Sequence, residues 1–162
     1  MRGMPRTWAL FLIMTLLPVW KVLPAPAESE QVTFAELVQQ AEEGDEEAQL
    51  SLGYLYYTGK GVDRDQQQAF HWYLRAAEQG EALAQYFIGD RYYYGRGVPI
   101  DHQKAFRWYR KAAEQGYDLA QSRLGDMYDI GLGVPQNLLE AFNCYSKAAE
   151  QGFAWAQFKL QV

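Results

Sequence analysis

The chain has 162 residues, with 15 Lys and Arg against 20 Asp and Glu, a formal charge of −5 at pH 7. That balance argues against nucleic acid as a partner, because phosphate contacts need clustered Lys and Arg. Cys144 is the one cysteine of the sequence, so no disulfide can form within it.

Residues 1–27 read as a secretory signal peptide. Arg2 and Arg6 give a basic start, residues 8–19 form an apolar run broken only by Thr15 and Pro18, and Ala25-Pro26-Ala27 offers small residues for cleavage. The run is shorter than the roughly 20 apolar residues of a membrane span. An uncleaved anchor is the alternative. No cysteine follows the expected cut, which leaves no residue for the usual lipid attachment. Cleavage would remove Arg2, Arg6 and Lys21 and no acid, taking the charge from −5 to −8. A soluble periplasmic or secreted protein, with no stable span after cleavage, fits that balance, as does a partner with a basic surface.

Residues 28–44 come next as an N-terminal cap. After a short polar leader, Phe34, Leu37, Val38 and Ala41 give residues 32–43 one apolar helical face, ended by Gly44. Three copies of one pattern then run over residues 45–80, 81–116 and 117–152, at a 36-residue interval. The first contains Ala48, Leu52-Gly53, Tyr56, Gly59, Gly61-Val62, Ala69, Trp72-Tyr73, Ala76-Ala77 and Gly80. Each copy predicts two helices, over 45–57, 81–93 and 118–129 and then over 66–79, 103–115 and 138–151. Asp65, Asp101 and Asn137 suit the N-caps of the second helices. Gly80, Gly116 and Gly152 suit a left-handed exit. Asp45, Glu46 and Glu47 read as an acidic first turn. Gly53, Gly89 and Gly125 recur inside a helix despite a cost of roughly 1 kcal/mol against Ala, which implies close helix approach. Ala69, Trp72 (Trp108 and Cys144 in the later copies), Tyr73 and Ala76 are assigned to the core. Cys144 is therefore a small buried hydrophobe or, alternatively, a reactive or intermolecular thiol.

Residues 153–162 begin a fourth copy. Phe153, Trp155, Phe158 and Leu160 are too apolar for a free tail, so the segment is a docked C-terminal cap, an end that stacks on another molecule, or a solenoid cut mid-repeat. Self-association through this end is then a possibility.

The Ala, Leu-Gly, Tyr, Gly-x-Gly-Val, Ala, Trp-Tyr and Ala-Ala-x-x-Gly pattern resembles the Sel-one-like repeat family, of bacterial exported type, a branch of the tetratricopeptide-like helical solenoids. Ile88 for Leu, Cys144 for Trp and Gln161 for Gly depart from it. The resemblance implies an all-α, right-handed α-solenoid of helix-turn-helix hairpins and a protein-binding scaffold. Some secreted relatives imply a rival, a cell-wall-directed hydrolase of β-lactamase-like type. A structural, self-associating envelope protein is a third reading.

In such a superhelix the first helices line the concave face. Positions there that vary between copies are Leu50/Tyr86/Ser122, Tyr54/Asp90/Asp126 and Tyr57/Tyr93/Asp129, at i, i+4 and i+7. Tyr54, Tyr57, Tyr86, Asp90, Tyr93, Asp126 and Asp129 are thus the candidate binding residues, with Arg91 and Tyr94 weaker ones. Tyr offers contact area plus a hydroxyl, and the Asp residues an edge for a basic peptide or protein. No catalytic residue is assigned, since Ser51, Ser122 and Ser146 lack a partnered base. No metal site is assigned, because His71 and His102, at unrelated phases, read as surface histidines. The glycine loops lack the Lys-Ser/Thr of a phosphate-binding loop. No cofactor is expected.

Overall fold

The computed structural model describes residues 33–161. The expected signal peptide, the polar leader at 28–31 and the first residue of the expected 32–43 helix lie outside them. The contacts divide the chain after Thr33, and the helices all belong to the unit beginning at Phe34.

Among the described residues eight helices run in chain order: α1 (Phe34–Glu43), α2 (Glu46–Thr58), α3 (Gln66–Gln79), α4 (Ala82–Tyr94), α5 (His102–Glu114), α6 (Asp118–Ile130), α7 (Leu138–Glu150) and α8 (Ala154–Lys159). The described residues form no strand. Each helix packs chiefly on its neighbours in sequence, most extensively within the pairs α2–α3, α4–α5 and α6–α7. These are helical hairpins stacked in a row, the quasi-one-dimensional arrangement of a repeat protein. The helix ends lie within a residue or so of those predicted from the pattern.

The ends are fixed by local chemistry. Asp65 Oδ1 accepts the backbone N–H of Gln67 at 2.8 Å and of Gln68 at 3.0 Å. Asp101 and Asn137 do the same for Lys104 at 2.8 Å and Glu140 at 3.1 Å. Asp45 is not in a first turn. It is an extended N-cap residue accepting the Ala48 N–H at 2.7 Å, and Glu81 accepts that of Ala84 at 2.7 Å. Tyr117 and Phe153 hold the same place with no acceptor to offer. At the exits Gly80, Gly116 and Gly152 have φ of 117°, 88° and 90°, a conformation that L side chains rarely adopt.

Within each hairpin a tyrosine ring lies on a helical glycine. A Cβ on Gly53, Gly89 or Gly125 would stand 2.6 Å from the ring of Tyr73, Tyr109 or Tyr145. Trp72 is buried with Ala41, Ala48 and Leu52. Trp108 and Cys144, expected in the core at the same phase, are only half-buried. Lys111 covers the Trp108 ring at 4.3 Å. Burial still pushes the Cys144 thiol up to about 11, so it is a poor nucleophile near neutral pH.

Between hairpins runs a ladder of glutamines. Gln79 Nε2 donates to the Gly44 carbonyl at 3.0 Å and to Gln49 Oε1 at 2.8 Å. Gln115 repeats this on Gly80 and Gln85, at 2.7 and 2.9 Å, and Gln151 on Gly116 and Gln121, both at 2.9 Å. Buried Gln49 and Gln85 in turn donate to the carbonyls of Ala41 and Ala77, at 2.9 and 3.2 Å. One amide thus ties three segments of chain together.

At the C-terminal end α8 docks on α7 through Ala156, with Phe153 and Leu160 half-buried beside it. Lys159 Nζ pairs with Asp129 at 2.7 Å. Trp155 and Phe158 remain about half exposed, at 48% and 53%.

Replacing Gln115 by Leu should destabilise the fold by about 1–3 kcal/mol, because Gln85 Oε1 is then left without its donor. The same change at Gln39, which bonds only to the neighbouring Glu43 on an exposed face, should fall within about 0.5 kcal/mol. Urea denaturation of the two variants makes the comparison.

A groove on the face of the first helices

The candidate residues sit on α2, α4 and α6, the first helices of the three hairpins. Between α2 and α4 lies an open groove of 460 Å³, lined by Leu50, Tyr54 and Leu55 of α2, Tyr73 of α3, and Leu83 and Phe87 of α4. Apart from Ser51 and the two phenols its wall is hydrocarbon and ring. Tyr54 stands at 49% exposure, the most open of the tyrosines named from the sequence. Phe87 stacks on Tyr73 at 4.7 Å between centroids and meets Tyr57 at 6.3 Å, which makes a continuous aromatic wall.

The next groove along, between α4, α6 and the start of α8, where Phe153 and Trp155 close it, holds about 230 Å³ and is different in kind. Tyr86 occupies the place of Leu50 and packs against Tyr109 at 5.7 Å and Tyr117 at 5.3 Å. Arg123, at the place of Phe87, pairs with Asp126 at 3.7 Å. Tyr93 is half-buried against Tyr94, Tyr109 and His102.

The three aspartates expected to offer an acidic edge are each engaged within the chain. Asp90 accepts the Tyr109 hydroxyl at 2.7 Å. Asp126 accepts the Tyr145 hydroxyl at 2.8 Å and the Trp155 Nε1–H at 3.4 Å. Asp129 holds Lys159. The reason is geometric: the position carrying Asp90 and Asp126 faces the hydroxyl of the tyrosine nineteen residues on. In the first hairpin that position is Tyr54, and the Tyr73 hydroxyl is buried with no hydrogen-bond partner.

Arg91 is a larger surprise. Only 2% exposed, it donates from Nη1 to Gln66 Oε1 at 2.6 Å and lies 4.6 Å over the Tyr57 ring. Among the described residues no carboxylate forms an ion pair with it, so a nearly buried cation rests on one amide and one ring. Its phase holds Leu55 and Met127 in the other copies, and that mismatch of charge among apolar residues was the signal available in the sequence.

The two histidines differ. His71 is exposed beside Trp72, 5.1 Å between rings. His102, expected on the surface, is half-buried, and its Nδ1 has no partner. Gly133, in the loop of the next hairpin, comes so close to its backbone that a Cβ there would run into the His102 carbonyl. Among the described residues no group of three His, Cys, Asp or Glu could hold a metal ion, and no helix is long and apolar enough to cross a membrane.

The Sel1 repeat pattern matches three times, over residues 46–81, 82–117 and 118–153. Among solved structures, a Sel1 repeat protein from Oxalobacter formigenes is 38% identical with a TM-score of 0.74, over 78% of this chain and 96% of that one. The protein c5321, a protective antigen present in uropathogenic Escherichia coli strains and displaying an SLR fold, is 46% identical over 75% of this chain, with a TM-score of 0.71. The match spans only 26% of that longer protein. Helicobacter pylori cysteine rich protein B is 26% identical over 75% of this chain and 87% of that one, with a TM-score of 0.59. No curated protein matches. The all-helical architecture argues against the β-lactamase-like hydrolase. With three matched repeats and a relative of nearly equal extent, the chain belongs to the Sel1 repeat family.

Proposed function

We propose that the protein is an exported scaffold, in the periplasm or outside the cell, that binds a peptide or protein along the face formed by α2, α4 and α6. The reading takes the hairpins as repeats of 36 residues, at 45–80, 81–116 and 117–152. They coil into a right-handed superhelix with this face on its concave side, capped by residues 28–44 and 153–162. Docking needs no cofactor. The observation that carries the reading is the 460 Å³ groove between α2 and α4, whose wall is almost wholly apolar yet open to solvent. Concave apolar clefts with a few polar groups are where ligands and partners gain contact area. Tyr54 at its rim is the leading contact. Tyr57 backs its aromatic wall through Phe87, Tyr86 and Asp126 line the smaller groove beyond, Asp129 lines the cleft beside α8, and Tyr93 and Asp90 pack on Tyr109 between them.

A photo-crosslinking amino acid at position 54 should join the purified protein to a defined partner in an extract of the source cells. The same group at the exposed position Lys60, on the loop between α2 and α3, should not. Identical crosslinks from both sites would contradict a groove-directed partner.

A second reading, self-association, is favoured by one observation: Leu138 and Phe142 of α7 and Trp155 and Phe158 of α8, all exposed, line one open cleft at the C-terminal end. It predicts a mass by light scattering that rises with concentration and returns to the monomer value in Leu138→Glu with Phe158→Glu. A monomer at every concentration would remove it.

A further inference from the structure

Resting on the reading of the α2–α4 groove as a docking site, we propose that its occupant is a partner segment carrying an aspartate or glutamate flanked by apolar side chains, whose carboxylate takes the place that Asp90 and Asp126 fill in the other two hairpins. Two features of this groove and one residue behind its wall carry the proposal. Tyr73 lines it, and its hydroxyl is buried with no partner, whereas the corresponding Tyr109 and Tyr145 hydroxyls each donate to an aspartate Oδ1, at 2.7 and 2.8 Å. A buried polar group left unsatisfied costs more than a surface one, so an incoming acceptor is rewarded there. Burial holds the Tyr73 phenol well above the ordinary tyrosine range, so at neutral pH it is a donor awaiting an acceptor. Behind the groove wall, Arg91 is a buried cation that forms no carboxylate ion pair among the described residues, and its charge acts on the same hydroxyl. The rest of the groove, with Leu50, Leu55, Leu83 and Phe87, has room for apolar flanking residues.

Tyr54 explains both the missing acceptor and its gate. It stands where the acid stands in the later hairpins, half-exposed at the rim of the groove, and docking at the buried Tyr73 Oη requires that ring to turn aside. The chain's overall negative balance opposes an acidic partner at long range, but such fields are screened within about 8–10 Å at physiological salt. Recognition therefore rests on the local donor and cation, and the preference for a basic partner inferred from composition is reversed at this site.

The test is an array of acetylated, amidated pentapeptides with apolar flanks and a central Asp, Glu, Asn, Gln or Lys, probed with the full chain. Hits are quantified in solution by calorimetry. The acid-centred peptides should bind about tenfold more tightly than their amide counterparts, as a hydrogen bond to a charged acceptor allows. That margin should vanish in Tyr73→Phe, which keeps the ring on Gly53. It should vanish also in Tyr54→Asp, which supplies the acceptor from within and should raise the melting temperature. Equal binding of acids and amides, a preference for Lys, a margin that survives Tyr73→Phe, or no acid-centred binder at all would overturn the proposal. If the crosslink at position 54 still captured a partner in any of those cases, the scaffold reading would stand without it.

Discussion

A tyrosine ring seated on a helical glycine is the constraint on which the rest of the architecture depends. Tyr73, Tyr109 and Tyr145 lie where a Cβ on Gly53, Gly89 and Gly125 would be, 2.6 Å away. Each glycine costs its helix roughly 1 kcal/mol of intrinsic stability. In return the two helices of a hairpin approach until a large ring is enclosed completely, and burying such a side chain outweighs that loss. The close approach also brings each phenol to the first helix, where its hydroxyl requires an acceptor. Asp90 and Asp126 supply one. Packing and polar satisfaction are thus two consequences of the same contact.

The first hairpin keeps the seat and omits the acceptor. Tyr54 replaces the aspartate, Leu50 replaces the bulkier Tyr86, and Arg91 enters from α4 at a phase otherwise apolar. The groove there holds about 460 Å³ against about 230 Å³ for the next one, and the Tyr73 phenol on its wall has a hydroxyl without an acceptor. Departure from the repeat rule, rather than the rule, is what singles out this end of the molecule for the proposed docking. Fold membership alone would not have located it, since repeat scaffolds serve many partners.

Much of the architecture was legible in the sequence because the signals are local and repeated. Asp65, Asp101 and Asn137 cap the helices they precede, and Gly80, Gly116 and Gly152 take the left-handed exits. The glycine inside each first helix announced a close approach. What spacing could not show is side-chain pairing over longer range. The Gln79–Gln49–Ala41 ladder spans segments tens of residues apart, and Asp90 and Asp126 looked like solvated acids because nothing local marks a tyrosine nineteen residues on as their partner. The half-burial of Trp108 and Cys144 depends on what the neighbouring hairpins leave uncovered. Tyr54 was legible as an exposed aromatic. Its role as a missing aspartate emerges only once the Tyr73 hydroxyl is placed.

The most direct test of the central contact is a double-mutant cycle on Gly89 and Tyr109, read by urea denaturation. With Tyr109 present, Gly89→Ala should cost about 1–3 kcal/mol, the range for overpacking a core that cannot relax. In the Tyr109→Ala background the same change should be neutral or stabilising by up to about 1 kcal/mol, the intrinsic helix preference for Ala. An equal effect of Gly89→Ala in both backgrounds would show no coupling between the two residues and would contradict the seat as the organising contact.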